Sequence, residues 1–345
     1  MKNKIRSPFF YVGDKYKIMP QIIELFPSNI RNYYEAFLGG GSSVLYVEAE
    51  KYLLNDNNKN IIDLHKYISS YSKKKEVLLD KLFELIKKYQ LSCSYLGLTV
   101  PEDLKKKYVK TYYSKFNKEN YSKLKNDYNE DKDISKLYLL LIYGFNHMIR
   151  FNRNGDFNLP VGNVDFNKNV YEAILNYLSF VEDKKIEYST KDYVDFIKET
   201  NFKERDFIYL DPPYLISNSE YNKNWTSEDE VRLYDLLDFL NEKNVYFGLS
   251  NMTDHKGNSN EILKKRMKKY IVHEIESNYI SRFDNTVKKN SREVYVTNYG
   301  KEKRWEKAFI FFNNNEKPRK DFTICWLYKR LWRANINWRT NYENS

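Results

Sequence analysis

Cysteine is nearly absent: Cys93 and Cys325 are the only two in 345 residues, and they form no Cys-x-x-Cys pair. A disulfide scaffold or a structural zinc site is therefore not the expectation. The four histidines, His65, His147, His255 and His273, show no ligand spacing and read as ordinary residues. Long apolar runs are also missing. Leu137-Tyr138-Leu139-Leu140-Leu141-Ile142-Tyr143 is too short to cross a bilayer and reads as a buried helix. The start, Met1-Lys2-Asn3-Lys4-Ile5-Arg6, leads into no apolar targeting segment, so the reading is a cytoplasmic protein without a membrane partner. With 11 glycines and 8 prolines in all, the clusters Gly39-Gly40-Gly41 and Pro212-Pro213 stand out.

What is abundant is charge and aromatic carbon. Lys and Arg outnumber Asp and Glu by 58 to 47, a formal charge of +11, which suits a polyanionic partner. The Asn, Lys, Ile and Tyr excess also fits a compositional bias of the genome, so charge alone decides little. The 32 Tyr and 21 Phe argue against disorder. A chain of this length builds one large core with an inserted or appended subdomain.

Short apolar strands alternate with helical stretches, which predicts an α/β fold. Strands are expected at 32–37, 52–55, 185–188, 206–210, 244–249, 270–276 and 292–298, and helices near 15–25, 42–50, 57–69, 228–241 and 258–269. The last two strands leave too little chain between them for a parallel crossover, so they are expected to pair antiparallel. Residues 70–135 read as helices. The basic, Tyr-interleaved stretch from Lys105 to Lys125 is either a solvated face or a surface for phosphates. Gly144 to Gly162 is polar and glycine-punctuated, carries Asn and Arg suited to base edges, and has a hairpin-turn signal at Asn154-Gly155. Residues 301–345, with Trp326, Arg330, Trp332, Arg333, Trp338 and Arg339, read as a packed helix or a basic arm, packing being favoured.

The chemistry concentrates at strand ends. Phe207-Ile208-Tyr209-Leu210 reads as a buried parallel strand and runs into Asp211-Pro212-Pro213-Tyr214. Prolines lack an N–H and fix φ, the acid accepts hydrogen bonds and the ring offers a π-face. This suits a planar molecule with an exocyclic amine, although a stiff loop would look the same. Phe37-Leu38-Gly39-Gly40-Gly41-Ser42 follows a strand and precedes a predicted helix, whose N-terminus would favour negative charge. A nucleoside cofactor on that turn calls for an acid after the second strand. Asp56 sits there, as a ribose acid or, within Asn55-Asp56-Asn57, as a helix cap. Asp192-Tyr193, after the third strand, is placed for an adenine edge.

Taken together, four segments resemble the α-group amino-methylating DNA methyltransferases of the Dam-like adenine-N6 family. They are Tyr11-Val12-Gly13-Asp14-Lys15-Tyr16, Phe37 to Ser42, Tyr143 to Gly162 and Asp211 to Tyr214, in the family's order. The 281–299 segment, with Ser281-Arg282-Phe283-Asp284-Asn285 and Arg292-Glu293-Val294, keeps the family's final hairpin pattern, while Asp14 stands where a glycine is common. The resemblance implies a Rossmann-like, mostly parallel sheet with an antiparallel last strand and an inserted, mainly helical target-recognition domain. Residues 1–63 and 166–300 would be catalytic, 64–165 the insertion, and 301–345 an extension without assigned role.

It also implies S-adenosylmethionine as cofactor, with no metal. Tyr11 and Lys15 would sit at its methionine end, Phe37, Gly39 and Gly41 beneath it, Asp56 at the ribose, Asp192 at the adenine edge, and Asp211 near cofactor and base. Phe145, Asn146, Arg150 and Asn152 would face double-stranded DNA, Phe145 entering the gap left by a flipped adenine and Arg150 reading guanine. Asp211 and the Pro212 carbonyl would accept the N6 hydrogens, with Pro213 stiffening the loop and Tyr214 stacked on the base. The implied protein is a monomer, the modification enzyme of a restriction–modification system with a restriction endonuclease as genetic partner. Competing readings are N4 of cytosine, adenine in RNA, and a non-catalytic DNA-binding specificity protein. A dinucleotide oxidoreductase would leave Asp211 to Tyr214 without a role.

Overall fold

Alternation within one strand explains the layering. Strand β4 (Phe207–Leu210) is buried along its whole length. Phe207 and Tyr209 join one apolar cluster and Ile208 and Leu210 another. A strand buried on both faces lies inside a sheet covered on both sides. The computed structural model describes residues 4–217, 225–276 and 291–300. Residues 1–300 make up one compact unit.

The remaining strands are β1 (Asn32–Glu35), β2 (Lys51–Asn55), β3 (Ile186–Ser189), β5 (Tyr246–His255), β6 (Asn258–Ser259), β7 (Ile271–Ile275) and β8 (Ser291–Thr297). They are ordered β3-β2-β1-β4-β5-β8-β7, with β6 folded back on the end of β5. The pairs from β3 to β5 are parallel. Strand β8 runs antiparallel between β5 and β7. The expected antiparallel last pair is thus present, and the sheet is the expected Rossmann-like, mostly parallel one. Strand order reverses between β1 and β4, which opens a crevice at their carboxyl ends.

Ten helices occur among the described residues. They are α1 (Met19–Ile22), α2 (Lys59–Ser69), α3 (Lys75–Lys88), α4 (Glu102–Lys107), α5 (Tyr112–Asp131), α6 (Ile134–Tyr143), α7 (Lys168–Val181), α8 (Tyr193–Lys198), α9 (Ser227–Glu242) and α10 (Glu261–Arg266). Caps mark several starts: Asn58 on α2, Asp133 on α6, and a Thr226/Asp229 capping box on α9. Helix α9, with Leu233, Leu237 and Leu240 inward, covers the face bearing Ile208. Helix α6 is buried from Ser135 to Tyr143 and belongs to the cluster on the Phe207 face.

Two expectations fail locally. The helix expected over 42–50 is a single 3-10 turn, Val44–Tyr46, after which Val47 is extended. Tertiary hydrogen bonds replace the helical ones there. The Tyr52 hydroxyl donates to Val47 O at 2.8 Å and accepts from Ala49 N at 3.0 Å. Tyr46 is likewise tied to the backbone of Ile5. No α-helix N-terminus therefore stands behind the glycine turn. Residues 258–260 lead into α10 as strand and cap, so that helix begins at Glu261. The expectations for residues 281–285 and for the tail beyond Gly300 lie outside the described residues.

Leu140 is fully buried in α6. Leu140→Ala is expected to remove about 3 kcal/mol of stability, read as a lower denaturant midpoint. A midpoint unchanged from the parent would place α6 outside the core.

Candidate active site

The glycine turn is shaped by the chain's own side chains. Gly39 and Gly41 hold φ of 45° and 67°. A Cβ on Gly40 would lie 3.0 Å from the Cβ of Tyr11, and one on Gly41 would lie 2.9 Å from His65 Cε1. The N-terminal segment is thus laid against the turn, held by Ser7 on the carbonyl of Gly40 and by Ser42 on Asp14. From the other side His65 reaches up from α2. Its Nε2 is 2.9 Å from Gly39 O and its Nδ1 2.7 Å from the Tyr177 hydroxyl. A carbonyl only accepts, so Nε2 carries the proton and Nδ1 accepts from the tyrosine.

A cavity of about 480 Å³ opens over this turn. Its walls include Tyr11, Asp14, Lys15, Glu35, Phe37, Gly39 to Ser43, and Asp211 to Tyr214, with His255 and Lys256 at the end of β5. The size suits a drug-sized ligand. Lys15 Nζ lies 3.1 Å from Asp211 Oδ1, 3.2 Å from Gly13 O and 4.6 Å from the centre of the Tyr214 ring. The Tyr214 hydroxyl lies 3.0 Å from Glu293 Oε1 and 3.3 Å from Asp211 Oδ1. Glu35, at the end of β1, holds Ser43 Oγ at 2.6 Å from both carboxyl oxygens.

Acids crowd around one ammonium. Burial pushes the carboxyls of Asp14, Asp56 and Asp211 above their ordinary value, and that of Glu35 up to about 8. Burial disfavours the Lys15 ammonium, yet the Asp211 and Glu293 carboxylates outweigh it and its pKa is raised. Acid and base shift upward for different reasons: desolvation raises the acids, and neighbouring carboxylates raise the lysine.

Other expected residues are placed differently. Asp56 accepts from Gly39 N at 2.8 Å and Asn58 N at 2.9 Å, so it braces the turn beside the cavity wall. Capping of α2 falls to Asn58, one residue beyond the expected trio. Asp192 caps α8, pairs with Arg232 at 3.2 Å and also lies outside the cavity wall. Phe37 meets Tyr193 at 4.9 Å and Trp225 at 5.8 Å, an aromatic cluster beside the turn.

Residues 144–162 form a closed loop away from this wall. Bridges Gly144–Val161 and Phe151–Phe157 join its sides, and Gly155 turns its tip at φ 81°. The Arg150 guanidinium clasps Asn158, with Nε and one terminal nitrogen each at 2.9 Å. Asn152 Oδ1 accepts from Asn154 N and Asp156 N, so it shapes the tip. Asn146 and His147 both hold left-handed backbone, φ 53° and 50°, and Phe145 before them is 51% exposed. Strained backbone of this kind clusters at ligand clamps.

A family model for the D12 class of N6 adenine-specific DNA methyltransferases matches residues 11–279. The chain belongs to this family. It is 32% identical over 303 residues to the type II methyltransferase M.FokI of Planomicrobium okeanokoites, covering 86% of this chain and 43% of the relative. It is also 32% identical over 308 residues to the modification methylase StsI of Streptococcus sanguinis, with the same two shares. The Escherichia coli DNA adenine methylase is 22% identical over 259 residues, 72% of this chain and 81% of the relative. The chain thus spans less than half the length of the first two.

Within this D12-class site, sequence reasoning passed over three residues. Glu35 was read only as part of a strand, although an acid closing an apolar strand is a signal in itself. His65 was read as ordinary; its partners lie 26 and 112 residues away and no local pattern points to them. Glu293 was noted as part of a hairpin pattern without a role.

Burial holds His65 neutral and lowers its pKa from 6.5 to about 4. Its stabilising contribution is complete above pH 6.5 and is lost as the pH falls toward 4, because the unfolded chain then binds the proton more readily. Relative to His65→Gln, the parent should lose about 3 kcal/mol between pH 7 and pH 4 in denaturant titrations. A pH-independent difference would show that His65 is not buried neutral.

Proposed function

We propose that this chain is a site-specific DNA methyltransferase that uses S-adenosylmethionine to methylate N6 of an adenine flipped out of duplex DNA, as the modification enzyme of a restriction–modification system. One observation carries the reading. Asp211 to Tyr214 and the glycine turn wall a single cavity. Membership of the D12 class supports it.

The residues fit the cofactor by charge. S-adenosylmethionine, when bound, supplies an electrophilic methyl group on a positive sulfur, and the Asp14 and Asp211 carboxyls in the wall suit that cation. Tyr11, Phe37, Gly39 and Gly41 would hold it, with Lys15 available to its carboxylate. Asp56 keeps lone pairs for a ribose hydroxyl while bracing the turn. Both Asp211 contacts fall on Oδ1, which leaves Oδ2 for the amine. Accepting the N6 hydrogens there, with the Pro212 carbonyl, turns the nitrogen lone pair outward. On methylation N6 becomes positive and sheds one proton, which Asp211 is placed to receive. Tyr214 supplies the ring beside the base.

For DNA, residues 64–165 would be the target-recognition insertion on a catalytic body of 1–63 and 166–300. Phe145 is exposed for entry into the stack, while Arg150 and Asn146 would reach base edges. Arg150 would exchange Asn158 for guanine.

Incubation with labelled cofactor and varied duplex DNA should give N6-methyladenine by mass spectrometry; product at cytosine N4, product only on RNA, or none would overturn the reading. Asp211→Ala is expected to lower transfer by at least about a hundredfold while DNA binding persists. With Asp14 and Asp211 in the wall, calorimetry is expected to find the sulfonium cofactor bound about tenfold more tightly than its uncharged thioether product. Equal affinities would mean that the carboxyls do not sense the sulfur.

A further inference from the structure

We infer that Glu293 is a positioning residue for methyl transfer, acting by claiming the phenolic proton of Tyr214. The inference rests on the function proposed above. Glu293 lies on β8 opposite Met252 of β5 and is 1% exposed. Its Oε1 is 3.0 Å from the Tyr214 hydroxyl, while Asp211 Oδ1 is 3.3 Å from the same oxygen. A phenol has one proton and two carboxylates compete for it. The shorter contact awards it to Glu293, so Asp211 stays an undiluted acceptor for the substrate amine. Lys15 lies over one face of the same ring, 4.6 Å from its centre, and Glu293 is among the charges that keep that lysine protonated. Hydroxyl and ring are thereby held in one orientation.

Without Glu293 the hydroxyl donates fully to Asp211 Oδ1, which draws charge from the carboxylate whose Oδ2 the amine needs. A double-mutant cycle on kcat tests this, with thermal midpoints recorded for each protein. Glu293→Ala is expected to lower kcat about tenfold or more with the KM for cofactor unchanged. Glu293→Gln keeps an acceptor oxygen and should retain most of the rate. Adding Tyr214→Phe to Glu293→Ala should restore part of the lost kcat, because the competing hydroxyl is gone. A double variant no faster than Glu293→Ala, or a Gln variant as slow as the Ala variant, would overturn the inference. If Glu293→Ala does not fold, Glu293→Leu takes its place in the same cycle. Parent protein that fails to methylate N6 refutes the proposed function instead; active parent with a failed cycle refutes only the role of Glu293.

Discussion

The ammonium of Lys15 joins three parts of the chain that are remote in sequence. It binds the Gly13 carbonyl, the Asp211 carboxyl and the face of Tyr214, with Glu293 of the last strand close enough to stabilise its charge. A buried charge is tolerable only while its partners stay in place. The N-terminal segment, the Asp-Pro-Pro-Tyr loop and strand β8 are therefore mutually dependent. Carboxyls as separate as Glu35, Asp56 and Asp211 all shift upward because burial takes them out of water.

Most of the sheet was readable in advance because its strands are compact aromatic and aliphatic runs bounded by polar residues. Tyr33, Ile208 and Phe247 could hardly be placed elsewhere. The antiparallel β7–β8 pair followed from chain length alone. What could not be read was what tertiary contact decides. Residues 44–47 have helical composition, but the Tyr52 hydroxyl takes up the backbone there. The strand-end position of Asp211 was visible, whereas its neighbours Lys15 and Glu293 come from opposite ends of the unit and share no local pattern with it.

The same limit applies to the loop of residues 144–162. Asn and Arg were read there as base contacts, and their chemistry permits that. In the structure Arg150 and Asn152 already have intramolecular partners, so base recognition as proposed would be an exchange of hydrogen bonds rather than the filling of vacant ones. Such an exchange sets affinity by a difference between two bonded states, which favours discrimination over raw binding strength. Phe145 differs in kind: its ring is exposed ahead of two left-handed residues.

Strand β8 sits between β5 and β7 although it is made after both. During synthesis β5 therefore waits with an open edge while the ribosome completes the following segments. The network at Tyr214 closes only when β8 slides into the gap. Contacts of such sequence separation form late and slowly, and an uncapped, apolar β5 edge is a template for pairing with another nascent chain. The placement of one strand thus makes assembly of the catalytic network and escape from aggregation the same kinetic event.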